Sequence, residues 1–220
     1  MGDMFSYCDE LSYLNIKNFD INQVTRISFM FSKCKNLTSI DLPNFSTNKV
    51  VDMNYIFYRC SSLTYLNLSN FDASKLTEMS YLFSYCSSLT SLILSNFKTR
   101  DVTSLIETFY ECSSLRYLNL SSFDTSKVTK ISNMFSNCIS LITLDISNFN
   151  FSNVLENNLF YNCKSLTDLR MNLDFNTQYE QNISNMFIND KNLNLYLNFN
   201  NNNNLIKNIP NYINVNDTSK

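Results

Sequence analysis

The chain has 220 residues and a formal net charge of −2 from 17 basic and 19 acidic side chains, so it offers neither a basic surface for nucleic acid nor a polybasic patch for anionic membranes. It contains no histidine and a single glycine, which excludes histidine-assisted nucleophiles, HExxH zinc sites and glycine-rich phosphate loops. Because no apolar run approaches the ~20 residues of a membrane span, we expect no direct insertion into a membrane.

Cysteines mark a repeat along the whole chain. Six of them are separated by 26 residues and a seventh follows after 25, at Cys8, Cys34, Cys60, Cys86, Cys112, Cys138 and Cys163. Two series of phenylalanines keep the same interval, one starting at Phe5 and Phe31 and the other at Phe19 and Phe45. A constant interval shared by several residue types is the signature of a solenoid, in which each unit stacks on the next.

The first half of each unit predicts a short strand. The unit CSSLTYLNLSNFDASKLTEMSYLF, from Cys60 to Phe83, contains LxxLxL, the strand signature of leucine-rich repeats. Inward and outward residues alternate there with the period of two that strands require. The predicted inward residues are Leu63, Leu66 and Leu68, and the predicted outward residues are Tyr65, Asn67 and Ser69.

The second half of each unit has a different spacing. Apolar residues fall at the interval of one helical face, which predicts a short α-helix or 3₁₀ turn; in one unit they are Val50, Met53, Phe57 and Cys60. Parallel strands need such a crossover, and helices are wider than the ~4.8 Å spacing of strands. We therefore predict an α/β leucine-rich-repeat solenoid with a parallel sheet on its concave face and short convex helices or 3₁₀ turns.

The units change towards the two ends of the chain. We expect about eight units of 26 residues across residues 1–199, and the first is truncated because Met4–Cys8 matches Met30–Cys34. The last unit is predicted to be a degenerate cap, since Phe175 is displaced by one position and Asp190 replaces the cysteine. Residues 200–220 begin with five asparagines and are predicted to form a loop and a C-terminal tail.

The cysteines and the recurring aspartates are predicted to be structural. A rigid interval places one thiol per unit in a single inward column, whereas zinc sites need CxxC spacing, so we expect seven reduced thiols in the core. Asp20, Asp72 and Asp124 are candidate calcium ligands, but acceptance of hydrogen bonds from free backbone N–H groups explains them better, since Lys98 takes the same position in one unit. We expect no metal and no cofactor.

Candidate binding residues are the outward strand positions, because they repeat on a rigid scaffold. Units with Tyr and Asn alternate with units that hold Ser or Thr beside Asp or Ile, so this surface repeats every 52 residues. Three tyrosines then stand ~10 Å apart, and tyrosine suits protein contacts and, beside Asn, sugar rings. A duplicated pair of units explains the alternation equally well. The candidates are Tyr13, Asn15, Ser39, Asp41, Tyr65, Asn67, Ser91, Ile93, Tyr117, Asn119, Thr143, Asp145, Asp168 and Arg170.

No pair of catalytic carboxylates is expected on this surface. Asp41 and Asp145 share a column but lie four units apart, about 19 Å at strand spacing, which is too far for shared chemistry. Asp145 and Arg170 lie in adjacent units and are predicted to form a surface ion pair of small energetic weight. The chain is therefore predicted not to be an enzyme.

Three motifs carry a resemblance to a known family. CSSLTSL (Cys86 to Leu92), LSSFDTSKVT (Leu120 to Thr129) and MFSNC (Met134 to Cys138) resemble the bacterial BspA-like leucine-rich repeat proteins, over about residues 4–190. The resemblance implies a surface-exposed, lipid- or wall-anchored protein that adheres to host matrix proteins or other microbes. The sequence departs from the family pattern in showing no export signal or anchor, and in carrying bulky or charged residues where glycine is common before the cysteine.

The expected function is that of an adhesin-like, non-catalytic binding module that recognises a protein or glycan through the concave sheet. Cell-surface or secreted localisation follows from the resemblance alone. The alternative is a cytoplasmic scaffold that joins partner proteins, since repeat solenoids serve both roles.

Overall fold

The fold is known from a computed structural model, which describes residues 1–42, 45–95, 97–154, 158–172, 186–187, 193–198 and 209–217. Phe175, Asp190 and the asparagine run at 200–204, on which the predicted cap and loop depend, lie outside the described residues.

Short strands follow one another at the interval of the repeat. In chain order they are β1 (Tyr13–Asn15), β2 (Ser39–Asp41), β3 (Tyr65–Asn67), β4 (Ser91–Ile93), β5 (Tyr117–Asn119), β6 (Thr143–Ile146), β7 (Asp168–Asn172), β8 (Asn194–Asn198) and β9 (Asn214–Asp217). Every described pairing is parallel and joins consecutive strands. The strands form two two-stranded sheets, β1-β2 and β3-β4, and one five-stranded sheet, β5 to β9. The predicted parallel solenoid is confirmed.

The interior consists of columns of identical side chains. Eight phenylalanine rings stack from Phe5 to Phe187, with centroids 5.4 to 5.9 Å apart. A second stack runs from Phe45 to Phe149. Since burial of one such side chain contributes roughly 1.5–3 kcal/mol, and each ring is covered by the units above and below, every unit is stabilised by its neighbours.

The turn that precedes each cysteine is not a helix, and the predicted α-helix or 3₁₀ segment is wrong. Within the described residues only Met186 is helical. Every second backbone N–H group of the segment donates within its own unit and closes a local turn; Ser32 N–H, for example, donates to the Phe29 carbonyl at 2.9 Å. The remaining N–H groups donate to the next unit, as Phe31 N–H does to the Ile56 carbonyl at 3.0 Å. A helix uses all of these groups within one segment, so the hydrogen bonds between units replace it.

Two residues in each turn have a positive φ, which a right-handed helix cannot accommodate. They lie five residues and one residue before the cysteine, at φ between 51° and 63°. The pairs are Asp3 and Tyr7, Phe29 and Lys33, Tyr55 and Arg59, Tyr81 and Tyr85, Glu107 and Glu111, and Asn133 and Asn137. The structure thus describes six complete turns of this kind, followed by Asn162 alone, rather than eight equivalent units.

The units are also held together by backbone contacts outside the strands. Parallel bridges connect Arg26, Asp52, Glu78, Ser104 and Lys130 in succession, in addition to the hydrogen bonds between turns. The strands, the bridged residues and the turns of successive units are therefore all spaced by backbone hydrogen bonds. The predicted curvature depended on wide convex helices, and these bonds remove its physical basis.

The described part of the C-terminal segment extends the sheet. Strand β9 pairs with β8, and Asn214 N–H donates to the Leu193 carbonyl at 3.1 Å. Ile209 and Ile213 are buried against the core. Part of the predicted C-terminal tail therefore forms a strand, because its apolar residues Ile209, Ile213 and Val215 pack on the core of the preceding units.

The thiols form the predicted inward column. Cys34 to Cys163 are buried and Cys8 is half-buried, and all seven are free thiols. Each buried thiol donates to the carbonyl of a phenylalanine in the preceding unit, as Cys86 does to Phe57 at 3.1 Å. Burial raises the pKa of Cys86 and Cys138 to about 12. A buried thiol without a metal or a basic neighbour is a packing residue.

The recurring aspartates accept the local hydrogen bonds that the sequence predicts. Asp72 accepts from the Ser74 N–H at 2.9 Å, and Asp124 accepts from the Ser126 N–H at 3.0 Å. These hydrogen bonds, from the serine hydroxyl and the backbone N–H, lower the pKa of both carboxyl groups. The described groups of acidic and cysteine residues contain no cluster that could hold a metal ion.

Candidate functional site

The first and third residues of each strand form one surface, called here the strand face. All fourteen residues predicted as candidates occupy it. The register aligns them into two columns: Tyr13 lies beside Ser39 and Asn15 beside Asp41, and the same pairing continues through β6 and β7. The second residue of each strand points inward, so the side chains of the strand face stand on a packed layer of leucines that also contains Ile40 and Val215.

Three tyrosines project from the first column. Tyr13, Tyr65 and Tyr117 expose 54%, 48% and 61% of their surface, and smaller side chains at Ser39 and Ser91 lie between them. Large exposed aromatic groups on a rigid sheet can form contact area at low entropic cost, because the scaffold is ordered before any ligand arrives.

The second column is fixed by local hydrogen bonds. Asn67 and Asn119 accept, through the side-chain oxygen, the backbone N–H two residues further on, at 2.9 and 3.0 Å. This turn orients each carboxamide at the end of its strand and leaves the amide nitrogen as the atom that can donate to a ligand. The sequence identified these residues as candidates without predicting this structural role.

Two adjacent hollows lie on the strand face at its C-terminal half. The larger, of about 610 Å³, is lined by Tyr117, Asn119, Ser121, Thr143, Asp145, Ser147 and Asn148 together with the strand leucines. The second, of about 300 Å³, shares Thr143 and Asp145 and adds Asp168, Arg170 and Tyr196. An aromatic wall beside hydroxyl, amide and carboxylate groups can hold a ligand that has both apolar and hydrogen-bonding surfaces.

The predicted ion pair between Asp145 and Arg170 does not form. Asp145 accepts hydrogen bonds from the N–H and hydroxyl of Ser147, at 3.0 and 2.6 Å. The Arg170 guanidinium lies over the ring of Tyr196, 5.5 Å from its centroid. A local turn fixes the carboxylate without ordering a long side chain, and the aromatic ring in the next unit is the partner of the arginine.

Tyr196 on β8 belongs to the strand face and was not predicted. Its alignment with Arg170 follows from the strand register, but the altered last units obscure that register in the sequence.

A second group missed by sequence reasoning lies on the turns, where Phe29, Tyr55 and Tyr81 stack with centroids 4.6 and 4.4 Å apart. Their interval of 26 residues was a signal in the sequence.

Among the helical residues that the structure describes, no segment is long and apolar enough to cross a membrane.

A family model matches residues 1–95 and again residues 90–200, and its description is "Mycoplasma protein of unknown function, DUF285". The chain belongs to this family. The family is of the BspA type, so the resemblance found in the sequence is confirmed.

Comparison of structures gives a match to a leucine-rich cell surface protein from Faecalibacterium prausnitzii A2-165. The match covers 95% of this chain and 85% of that protein, with 15% sequence identity and a TM-score of 0.29. No curated protein matches the chain.

Proposed function

We propose that this protein is a non-catalytic binding module that holds a protein or glycan ligand against its strand face. The observation that carries the proposal is the row of exposed tyrosines, which ends at the two hollows between Tyr117 and Tyr196. The backbone beneath the two hollows is fixed by parallel pairing through the five strands β5 to β9, so a ligand there meets an ordered surface.

A binding role is favoured over catalysis by the chemistry of this surface. The chain has no histidine, and the two hollows together hold two carboxylates, Asp145 and Asp168, each of which accepts a hydrogen bond from a neighbouring hydroxyl, of Ser147 and of Thr167. Catalysis by carboxylates needs two of them at a fixed separation with different pKa values. The lining instead offers a ring face, amides and hydroxyls, which suit recognition.

We further propose that the module works at the cell surface, as the BspA-type resemblance implies. The alternative is an intracellular scaffold that uses the same face. Brief protease treatment of intact cells separates the two, since a surface protein is degraded by the added protease and an intracellular one is protected.

Substitution of strand-face tyrosines tests the binding site. The variant Tyr65→Ser with Tyr117→Ser keeps the fold, because Ser39 and Ser91 already occupy this column. We expect binding to a panel of immobilised matrix proteins, or to a glycan array, to weaken by at least tenfold, since loss of a central aromatic contact costs about 2 kcal/mol.

Tyr161→Ser is the matched control. Tyr161 is 40% exposed but lies on a turn, two residues before the cysteine, where Ser136 stands in the neighbouring unit. This variant loses the same exposed ring from the other side of the molecule and is expected to bind normally. Equal binding by the strand-face variant and the wild-type protein would reject the strand face as the site.

A further inference from the structure

The turns present a second surface, called here the turn face, formed by residues five, two and one positions before each cysteine. Its first column holds Asp3, Phe29, Tyr55, Tyr81 and Glu107. The three rings among them stack nearly parallel, with interplanar angles of 7° and 6°. The stack ends at Phe29, because the next position in the column is Asp3.

Phe29 is therefore the end of an aromatic stack. One face of its ring is covered by Tyr55, 4.6 Å away, and 38% of the residue surface is exposed. Within the described residues, no ring contact is found on its other face. A partly exposed ring at the end of an ordered stack can contact an apolar surface from outside the chain.

A cavity of about 270 Å³ lies beside this ring. It crosses three units and is lined by Asp3, Ser6, Tyr7, Phe29, Ser32 and Lys33, with Tyr55 and Tyr58 at one end. Its volume lies below the ~300 Å³ that is typical of sites for drug-sized ligands, so it suits a ligand of about one sugar ring.

The walls are fixed by hydrogen bonds between units. Tyr7 N–H donates to the Ser32 carbonyl at 2.8 Å, and Phe29 N–H donates to the Asn54 carbonyl at 3.0 Å. The Lys33 ammonium donates to the Tyr7 hydroxyl and lies 4.2 Å from the centroid of its ring. The backbone of the cavity walls and the Lys33–Tyr7 pair are thus held in place before a ligand binds.

Charge indicates the class of ligand. Asp3 supplies one carboxylate to the lining and Lys33 one ammonium, so their charges offset each other and favour neither an anion nor a cation. The other polar groups are the hydroxyls of serines and tyrosines, which both donate and accept. A neutral ligand rich in hydroxyl groups, with one apolar face, matches this set.

The backbone of the turn does not require these side chains. In a later unit the two positions with positive φ hold Asn133 and Asn137, at 57° and 63°. Asparagine tolerates this conformation, whereas Phe29 and Tyr55 adopt it against their preference. The aromatic residues therefore supply something other than the turn geometry.

We propose that the cavity beside Phe29 binds a neutral pyranose ring, with the C–H face of the sugar packed on the phenylalanine and its hydroxyls bonded to Asp3, Lys33 and the serine and tyrosine hydroxyls. The cavity shares no residue with the strand face, so sugar binding here and ligand binding on the strand face can be tested independently.

Saturation-transfer NMR with three probes tests the site: methyl β-glucopyranoside, methyl β-galactopyranoside and methyl α-mannopyranoside. Irradiation of the protein's aromatic protons is expected to saturate ring protons on one face of at least one glycoside. Sorbitol, which has the hydroxyls but no ring, is expected to receive several-fold less. Transfer to none of the three glycosides, or equal transfer to sorbitol, would overturn the proposal.

The variant Phe29→Asn locates the contact. It is expected to reduce the transfer several-fold and to keep the fold, because Asn133 stands at the same position of its own turn. The matched control is Glu107→Asn, the same replacement in the same column but outside the cavity, which is expected to leave the transfer unchanged. Equal transfer in Phe29→Asn and the wild-type protein would place any sugar contact elsewhere and reject this site.

Discussion

The early and late turns of the stack have the same backbone but different residues. Tyr55 and Arg59 have φ values of 60° and 59°, and Asn133 and Asn137 have 57° and 63°. Since the left-handed conformation costs an ordinary L-residue about 1–2 kcal/mol and asparagine less, the two sets are not equally favourable. The hydrogen bonds between units, which all of these turns share, determine the backbone whatever the residue.

The side chains above that backbone offset the cost in different ways. In the early turns, ring stacking of Tyr55 on Phe29 and Tyr81 contributes about 0.5–1.5 kcal/mol per pair. In the late turns, the Asn162 amide donates to Asn137 at 2.7 Å. The inner columns allow no such variation, because Phe83 and its neighbours are enclosed on every side.

Alkaline pH acts on the inner column of thiols. Burial raises the pKa of Cys34 to about 11 and that of Cys86 and Cys138 to about 12, from an ordinary 9.0. Below pH 9 the thiols are protonated in both states; above it the unfolded chain loses protons that the folded chain keeps. The free energy of unfolding, measured by urea denaturation without oxygen, is expected to fall between pH 9 and pH 11 by up to about 1.4 kcal/mol per pH unit for each of Cys86 and Cys138.

Cys86→Ala supplies the control for this effect. It removes one titrating group and is expected to make the pH dependence shallower by about 1.4 kcal/mol per unit. A free energy of unfolding that stays constant from pH 9 to pH 11 would contradict the burial of the thiols.

Phe83→Ala tests the inner ring stack. Phe83 is fully buried between Phe57 and Phe109, so its truncation is expected to reduce the free energy of unfolding by about 3–5 kcal/mol. Tyr81 lies two residues earlier, on the turn face. The variant Tyr81→Asn loses a stacked ring, but asparagine adopts the positive φ at lower cost, so the free energy of unfolding is expected to change by no more than about 1 kcal/mol. Equal losses in the two variants would remove the distinction between the columns.

Glu111→Asn tests the cost of the turn without a stacked ring. Glu111 has φ 59°, and Asn137 takes its position in the next unit. The replacement is expected to stabilise the protein by about 0.5–1 kcal/mol and to raise Tm by about 2 °C in thermal unfolding. Glu10→Asn, which removes the same charge where φ is not positive, is expected to leave Tm unchanged. A lower Tm for Glu111→Asn would show that the backbone of the turn is not strained.

The sequence predicted those parts of the fold that repeat in phase. The cysteine interval and the alternation around Leu66 identified the strands β1 to β7, the inward columns and the fourteen strand-face positions on those seven strands. These features depend on the interval of the repeat and on which residues are buried, and the sequence of one chain reveals both through its spacing of apolar residues.

The turns were predicted wrongly because apolar spacing does not reveal the sign of φ. Met53, Ile56, Phe57 and Cys60 are buried, and this pattern fits one face of a helix as well as successive turns that bond to the next unit. Glycine normally marks a positive φ, but the chain has one glycine in total. The hollows at Tyr117 and Arg170 are shapes formed by neighbouring strands, so no local pattern indicates them.

Successive units are joined by hydrogen bonds at both their strands and their turns, and this pattern allows the number of units to change. Donors on the strand side and on the turn side each meet acceptors at equivalent positions of the adjacent unit, as Thr103 meets Thr77 and Thr129 meets Thr103 at 3.0 Å. Deletion of one complete middle unit would bring together surfaces that already match. Recombination between repeated gene segments can therefore lengthen or shorten this protein without a new interface having to evolve.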